Sequence, residues 1–141
     1  MKISELKRGM EISNLELCEM FQCSPQGGMR RSHATNTLVL ISNKMKSVYT
    51  DTWEGEVFHY TGMGQKGDQS LNFAQNKTLA ESNSNGVTVH LFEVHKGNTY
   101  TYYGVMKLAG QPYASTQKDS QGIERKVYIF PLTCVSEAPA N

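Results

Sequence analysis

Apolar residues recur at every second position through long parts of the second half of this chain. The segments concerned are Val87–Val94, Tyr100–Leu108 and Arg125–Leu132. Alternation of this kind is typical of β-strands, because successive side chains of an extended chain point to opposite faces of a sheet. The second half is therefore predicted to form a sheet whose strands are joined by loops rich in glycine, lysine and glutamine.

The first half supplies further strands and a hairpin. Thr37–Ser42 (TLVLIS) is predicted to be a buried strand from its length and its β-branched residues. Val48–Asp51 is predicted to be a second extended piece, and Val57–Thr61 runs back as its partner after a turn centred near Gly55. Connections as short as this favour antiparallel neighbours.

Two segments have the periodicity of helices. Within residues 11–21 an apolar residue stands at every third position, and Asn14 is placed to cap the helix. Residues 69–82 are predicted to form a second helix with Asp68 as its cap and an apolar face suited to packing on a sheet.

The segment Cys23–Asn36 (CSPQGGMRRSHATN) is predicted to be a loop, because it carries a proline, a Gly-Gly pair and two adjacent arginines. With two helices against about six strands, the chain is predicted to be an α+β domain. Its sheet is expected to be mostly antiparallel and curled or barrel-like, with the two helices on its flanks.

Length and composition agree with a single domain. The chain has 141 residues, of which 38% are apolar, enough for one core. We expect that domain to occupy residues 1–135, with 136–141 as a linker or tail. The sequence has neither a signal-peptide pattern at its start nor the roughly 18 consecutive apolar residues that span a bilayer, so we expect a cytoplasmic protein without a membrane partner.

Several classes of function are disfavoured by what the sequence lacks. The motifs GxSxG, HExxH, GxxxxGK[ST] and CxxC are all missing. The three cysteines and four histidines do not stand at the spacing of metal ligands, so we expect neither a metal nor another cofactor. A net charge of +1 excludes a general polyanion binder but allows local basic patches.

A polar and aromatic cluster remains around the predicted hairpin. Tyr49 and Asp51 share one face of an extended strand, and the return strand can bring Tyr60 and Thr61 opposite them. Two phenol rings could then bracket a slot with a carboxylate at its end. Such a slot suits a flat heteroaromatic ring whose exocyclic amine donates to the acid, as cytosine does.

At these residues the sequence resembles the SRA (SET and RING-associated) domain, a PUA-like reader of modified cytosine. The segment from Tyr49 to Gly64 (YTDTWEGEVFHYTGMG) is similar to the family's YxDD…GxxFxYTGxGG. Upstream, Gly27–Ile41 (GGMRRSHATNTLVLI) resembles GIHGRS…YSLVL. Downstream, Asp68, Gln69, Leu71, Asn76, Leu79 and Ala80 follow the pattern DQxLxxxNxALA, and Tyr102-Tyr-Gly-Val105 stands where the family has YDGxY. Among the versions of this domain, the sequence most resembles the bacterial ones found beside HNH nuclease modules in McrA-like restriction enzymes that cut modified DNA.

The resemblance implies roles for individual residues of the slot. Tyr60 would stack on one face of a flipped base, Tyr49 on the other, and Asp51 would accept from the Watson–Crick edge. Thr61 and Gly62 would form the wall that meets the 5-substituent. Unstacking a base costs a few kcal/mol, which stacking at roughly 1–3 kcal/mol per base and new hydrogen bonds must offset.

The resemblance also implies contacts outside the slot. The eukaryotic finger that follows YTGxGG is absent, so a wedge into the duplex, together with contacts to the DNA backbone, is expected from a group in the first half and from the short loop after Gly64. These residues are Met29, Arg30, Arg31, Ser32 and Lys66. Asp68, Gln69 and Asn76 are expected to be structural residues of the motif.

The favoured prediction is a non-catalytic reader of 5-methylcytosine or 5-hydroxymethylcytosine in duplex DNA, the recognition module of a modification-dependent restriction endonuclease. An enzyme acting on a nucleoside or another small heteroaromatic ligand, with Asp51 as general acid or base, stays open as the alternative. The preferred modification, the flanking bases, a nuclease domain in the same chain and a homodimer are left undecided.

Overall fold

The computed structural model describes residues 1–45, 51–64, 67–119 and 121–135. Among these residues are nine β-strands, two α-helices and one short 3₁₀-helix, Ile3–Glu5. The strands are β1 Glu11–Ile12, β2 Met29–Ser32, β3 Thr37–Asn43, β4 Thr52–Glu54, β5 Val57–Thr61, β6 Thr88–Lys96, β7 Thr99–Leu108, β8 Tyr113–Lys118 and β9 Glu124–Cys134. The helices are α1 Asn14–Phe21 and α2 Gln75–Ala80.

The described strands form one open, mixed sheet in the order β2-β3-β6-β7-β9-β5-β4, with β1 paired to β7 and β8 paired to β9. All pairings are antiparallel except that of β3 with β6, which runs from Thr37↔Thr88 to Asn43↔Val94. Strand β3 is buried at every residue up to Ser42, as is usual for a parallel strand covered on both faces. The predicted α+β class is confirmed.

The two faces of β3 lie in different hydrophobic cores because its side chains alternate in direction. Leu38 and Leu40 belong to a core that also contains Phe58, Tyr60 and Phe130. The neighbouring positions of β3 belong to a second core, in which α1 covers the sheet. Its members include Val39, Ile41, Leu17, Phe21, Phe92 and Tyr102.

Helix α1 begins later than the periodicity predicts, and its cap is a different residue. Ser13 accepts a hydrogen bond from the Glu16 backbone N–H, and the Glu16 carboxylate accepts from the Ser13 N–H, so these two residues form a capping box. Asn14 is the first helical residue, and its side-chain oxygen is used by Arg30 instead.

The predicted helix over residues 69–82 is wrong in its first half. The Gln69 N–H donates to Lys126 O at 2.8 Å, and the Asp68 carboxylate accepts from the Lys126 N–H at 2.7 Å. Asp68 and Gln69 therefore extend the edge of β9, and Asp68 is not a helix cap. Tertiary pairing with β9 has displaced the start of α2 to Gln75.

The predicted loop Cys23–Asn36 is likewise wrong over Met29–Ser32, which is strand β2 and pairs with β3. The predicted hairpin at Gly55 is confirmed by the pairing of β4 with β5. Of the predicted extended piece Val48–Asp51, residues 48–50 lie outside the described part of the chain, and so does Tyr49 with its predicted role.

The turn before α2 holds an alanine in a conformation that suits glycine. Ala74 has φ 47° and ψ −125°, and the Asn76 N–H donates to Phe73 O at 2.9 Å. This is the first central position of a type II′ turn, where a Cβ is unfavourable. We expect Ala74→Gly to raise the free energy of unfolding by about 1 kcal/mol, measured by urea denaturation. The matched change Ala80→Gly, within α2, should lower it by roughly 0.5–1 kcal/mol; equal effects at the two positions would contradict strain at Ala74.

Candidate functional site: a carboxylate pocket at one end of the sheet

Asp51 lies directly before β4, and its carboxylate is held between β3 and β5. One oxygen, Oδ1, accepts from the Thr61 backbone N–H at 2.8 Å, and the other, Oδ2, accepts from Ser42 Oγ at 2.9 Å. The exposed Lys44 ammonium donates to the Asp51 backbone carbonyl at 3.2 Å. The hairpin thus brings Asp51 to Thr61 as its spacing predicts, whereas Ser42 was not anticipated, since its distance along the chain carries no local signal.

The environment of the Asp51 carboxylate disfavours its charge. Burial raises the pKa of Asp51 above the ordinary value, and the hydrogen bonds from Thr61 and Ser42 counteract burial only in part. A carboxylate in this condition is stabilised by any further donor that reaches it. An amine N–H of a bound ring is such a donor.

Tyr60, on β5, is packed into the core that contains Phe58 and Phe130. The side chain is 3% exposed, and its hydroxyl donates to the carbonyls of Gly28 and Ile41, at 2.8 Å and 3.2 Å. The structure therefore covers the ring and fixes its orientation, and an open slot beside Tyr60 is not observed among the described residues. Its stacking role stays a prediction.

Thr61 and Gly62 continue the wall next to Asp51. Thr61 is 3% exposed, and its hydroxyl accepts from Gln117 Nε2 at 3.1 Å. Gly62 has no room for a side chain, because a Cβ there would lie 2.7 Å from Asn76 Oδ1 and 3.0 Å from the Phe130 ring. The need for glycine at position 62 is thus explained by the loop that follows β5.

That loop, Gly62–Gly64, is held by two buried amides. Gln69 donates to the carbonyls of Gly62 at 2.7 Å and Gly64 at 3.1 Å, and its oxygen accepts from the Tyr128 N–H at 2.9 Å. Asn76 accepts from the Met63 N–H at 2.7 Å and donates to the Met63 and Ser70 carbonyls at 3.1 Å and 3.0 Å. The resemblance implies a structural role for Gln69 and Asn76, and both side-chain amides bond to backbone groups.

Arg125, on β9, is a further loop anchor that sequence reasoning missed. It is 4% exposed, and its Nη1 donates to the carbonyls of Gly64 and Gly67. Its Nε and Nη2 have no hydrogen-bond partner in the described part of the chain. The alternating pattern of β9 places Arg125 on the same face as Val127, but alternation alone does not reveal that a charged residue is buried.

Three of the residues predicted to form the wedge and to contact the DNA backbone, Met29, Arg30 and Ser32, are buried and do not fit those roles. Met29 is 5% exposed and belongs to the hydrophobic core, and Ser32 is 1% exposed with its hydroxyl bonded to the Thr35 N–H. Arg30 is 4% exposed and donates to Asn14 Oδ1 at 2.7 Å and to Gly27 O at 2.9 Å. Strand formation by β2 explains these corrections, because β2 is covered on both faces and its side chains are largely buried whichever face they point to.

Arg31 and Lys66 complete that group. The half-buried Arg31 guanidinium bonds the Thr37 carbonyl at 3.2 Å and Asn36 Oδ1 at 3.1 Å, so it stabilises the turn between β2 and β3. Lys66 lies outside the described residues. The predicted backbone contacts of Arg31 and Lys66 stay predictions.

A groove of about 780 Å³ lies on the outer face of the sheet. We call it the outer groove; its lining includes Thr52, His59, Tyr113, Ser115, Gln117 and Lys118. His59 points into it, so Tyr60, the next residue of β5, points to the opposite face. Thr61 links the Asp51 carboxylate to the outer groove, because it bonds Asp51 through its backbone N–H and bonds Gln117, which lines the groove, through its hydroxyl.

The described residues contain no group of His, Cys, Asp and Glu side chains that could hold a metal ion. None of the helices among them combines the length and the apolar character needed to cross a membrane.

An open mixed sheet with α1 on one face and a buried carboxylate at one end defines an SRA-like, PUA-like domain. The structure superposes on the sulfur-binding and SRA domains of ScoMcrA complexed with phosphorothioated DNA, with a TM-score of 0.76 and 15% identity over 94% of this chain and 41% of that one. It also superposes on the SUVH5 SRA domain in complex with hemimethylated CG DNA, with a TM-score of 0.70 and 22% identity over 97% of this chain and 94% of that one. For KRYPTONITE in complex with mCHG DNA the TM-score is 0.70, with 18% identity over 96% of this chain and 33% of that one.

The family model of the ScoMcrA-like SRA domain matches residues 8–141, and this chain belongs to that family. The chain spans less than half of the ScoMcrA chains that it matches. None of the curated proteins matches it.

Proposed function

We propose that this domain binds duplex DNA that contains a modified cytosine, and that it receives the flipped base at Asp51. Membership in the ScoMcrA-like SRA family supports DNA as the partner. The proposal that the base is a cytosine rests on the Asp51 carboxylate, which Thr61 and Ser42 hold in one orientation at the end of β5.

The choice of cytosine follows from the hydrogen-bonding pattern of the bases. Cytosine presents an amine at N4, which donates, whereas thymine presents a carbonyl at the same place. The Asp51 oxygens accept from the Thr61 backbone N–H and from Ser42 Oγ, and a carboxylate oxygen can accept more than one hydrogen bond. A cytosine amine would therefore find an acceptor at Asp51, and a thymine carbonyl would be repelled.

Tyr60 is proposed as one wall of the pocket. Its hydroxyl is tied to Gly28 and Ile41, so the ring keeps its orientation when a base arrives. The cover over the ring must move for the base to reach it. A base that stacks on this ring recovers part of the stacking energy that it lost on leaving the duplex.

Exposed lysines near the site provide the attraction for phosphates that the buried Arg30 cannot provide. Lys44 lies against the Asp51 backbone, and Lys118 lies in the outer groove beside Gln117. Contacts of this kind position a protein on DNA without specifying sequence. They also make the affinity depend on salt.

We propose that the domain is the recognition part of a modification-dependent restriction endonuclease and does not cut DNA itself. The ScoMcrA match includes a chain described as a type IV phosphorothioation-dependent restriction endonuclease, of which this chain covers 29%. Cleavage would then belong to another part of a longer protein. The residues proposed here bind and orient a base, and none of them is assigned a chemical step.

The deciding experiment is a binding titration with matched duplexes at one fixed salt concentration. The duplexes carry unmodified cytosine, 5-methylcytosine, 5-hydroxymethylcytosine or a backbone phosphorothioate in the same sequence, and fluorescence anisotropy reports affinity. We expect at least one modified cytosine to bind about tenfold or more tightly than cytosine, a difference of ~1.4 kcal/mol. Equal affinity for all cytosine duplexes would refute the reader function, and preference for the phosphorothioate alone would replace the modified base by the modified backbone. Cleavage of any duplex by the purified chain with Mg²⁺ would contradict the binding-only assignment.

A further inference from the structure

At the end of the β8–β9 hairpin, the Asp119 carboxylate bonds the backbone of Gln121 and Ile123. Asp119 Oδ1 accepts from the backbone N–H groups of Gln121 at 2.8 Å and Ile123 at 2.9 Å. The Asp119 N–H donates to Ile123 O at 2.8 Å, and the Gly122 N–H donates to Asp119 O at 3.0 Å. These four bonds fix the position of Ile123 at the tip.

Ile123 is 60% exposed at this tip. The side chains nearest to it along the hairpin, such as Lys118 and Glu124, are polar, so the isoleucine has no apolar cluster of its own to join. A single exposed apolar side chain is common on protein surfaces, so the exposure of Ile123 matters only together with its place at the tip and the charges beside it.

The tip lies at the same end of the sheet as the Asp51 pocket. Thr61 is paired with Ile129 of β9, and β9 continues from Ile129 away from the centre of the sheet to Glu124. At about 3.3 Å per residue in an extended strand, the step from Ile129 to Ile123 places the tip on the order of 20 Å past the level of Thr61. Gln117 ties this hairpin to the pocket wall through Thr61, so pocket and tip keep their separation.

We propose that Ile123 enters the DNA duplex at the position that the flipped cytosine leaves. This inference rests on the proposed function, and it assigns the wedge to an element that sequence analysis left out. Isoleucine is among the side chains that proteins insert between base steps, where it replaces lost stacking and keeps the base out. The hydrogen bonds to Asp119 already order the backbone of Ile123, so the hairpin tip loses little conformational entropy when the side chain is inserted.

The charges around the tip permit this approach. Lys118 and Lys126 are exposed on the hairpin and can meet the phosphates on either side of the insertion point. Glu124 is the opposing exposed charge, while the Asp119 carboxylate is occupied by the turn.

Two other exposed apolar side chains lie near the site and compete for the role. Met45 is 58% exposed and directly follows Lys44, and Phe73 is 52% exposed on the turn before α2. Met45 has a flexible side chain, which loses more entropy when it is inserted. Phe73 directly precedes Ala74, whose backbone is strained, and its carbonyl accepts from the Asn76 backbone N–H. Of these three residues Ile123 is the most exposed, and one carboxylate accepts from two backbone N–H groups of its turn, that of Ile123 included.

The test compares serine variants at these positions on two forms of the same DNA strand. Ile123→Ser should weaken binding to the 5-methylcytosine duplex about tenfold and change binding to the single strand less than about twofold, because a single strand has no vacated position to fill. Ile123→Leu should restore duplex binding. Leu15→Ser, at an exposed position of α1 far from the pocket, is the matched control and should leave both affinities unchanged. A 2-aminopurine placed next to the modified base should report less flipping with Ile123→Ser.

The outcomes separate the two proposals. If wild type prefers the modified duplex and Ile123→Ser binds both forms as wild type does, the wedge assignment is overturned while the reader function stands. A duplex-selective loss in Met45→Ser or Phe73→Ser instead would transfer the role to that residue and equally overturn it. If wild type shows no preference for the modified duplex, both proposals fail. Unchanged thermal unfolding of the variants confirms that folding is not what is measured.

Discussion

Replacing Asp51 with asparagine should abolish most of the preference for 5-methylcytosine over thymine at the flipped position while leaving the domain folded. Asparagine keeps a side-chain oxygen that can accept from the Thr61 N–H, and its amide can donate to Ser42 Oγ, which is a competent acceptor. What it loses is the second acceptor, so an amine of the bound base then faces an N–H group. We expect the ratio of affinities for cytosine and thymine at the flipped position to fall roughly 10–100-fold, or ~1–3 kcal/mol.

The measurement is anisotropy with duplexes that carry 5-methylcytosine, cytosine or thymine at one position. Asp51→Ala should lose the same discrimination and also some stability, because it leaves the Thr61 N–H without its acceptor. Ser42→Ala removes one bond to the carboxylate and keeps the acceptor itself, so it should cost less discrimination than either Asp51 variant. A folded Asp51→Asn protein that still prefers 5-methylcytosine to thymine would show that Asp51 is only a structural residue of the hairpin.

Replacing Asn76 with alanine should cause a large loss of stability, about 3 kcal/mol or more in the free energy of unfolding. Asn76 is fully buried, and its amide satisfies the Met63 N–H, the Met63 carbonyl and the Ser70 carbonyl. Alanine would leave these three backbone groups without the side chain that bonds them, in a place where water is excluded. The Gly62–Gly64 loop beside the pocket should loosen at the same time.

Urea denaturation of wild type, Asn76→Ala and Asn72→Ala provides the comparison. Asn72 lies on the same connection but is exposed, so its substitution should change stability by less than about 0.5 kcal/mol. Equal stabilities of the two variants would mean that the loop is held by Gln69 and Arg125 without help from Asn76. Hydrogen exchange of the Met63 amide should accelerate in Asn76→Ala in advance of global unfolding.

Strands with apolar alternation or a continuous apolar run could be predicted from the chain. Thr88–Lys96 and Glu124–Cys134 carry apolar side chains on the face that packs into a core, whereas Thr37–Asn43 is a continuous run because both of its faces are buried. Strand β8 (YASTQK) has exposed or half-buried positions throughout, so no apolar alternation marks it. The parallel pairing of β3 with β6 depends on residues far apart in sequence and has no local signature.

The arginines show why local signals mislead about burial. Two adjacent arginines beside a Gly-Gly pair resemble a solvated loop, yet Arg30 is buried because Asn14 and Gly27 accept its hydrogen bonds. Arg125 is buried in the same way by the carbonyls of Gly64 and Gly67. A buried charge needs acceptors from several segments, and which segments meet is not written in any one of them.

The sequence by itself determined the α+β class, the hairpin at Gly55 and the meeting of Asp51 with Thr61, because strand periodicity and a short turn act over a few residues. It also carried the ordered motifs that place the chain in its family. Only the tertiary structure decided that Ser42 holds the other oxygen of Asp51, that Met29 and Arg30 are buried, and that Asp68 and Gln69 join β9 instead of starting a helix. Those outcomes depend on which distant strands pair, since burial and partner choice are set by the sheet as a whole and by no single segment.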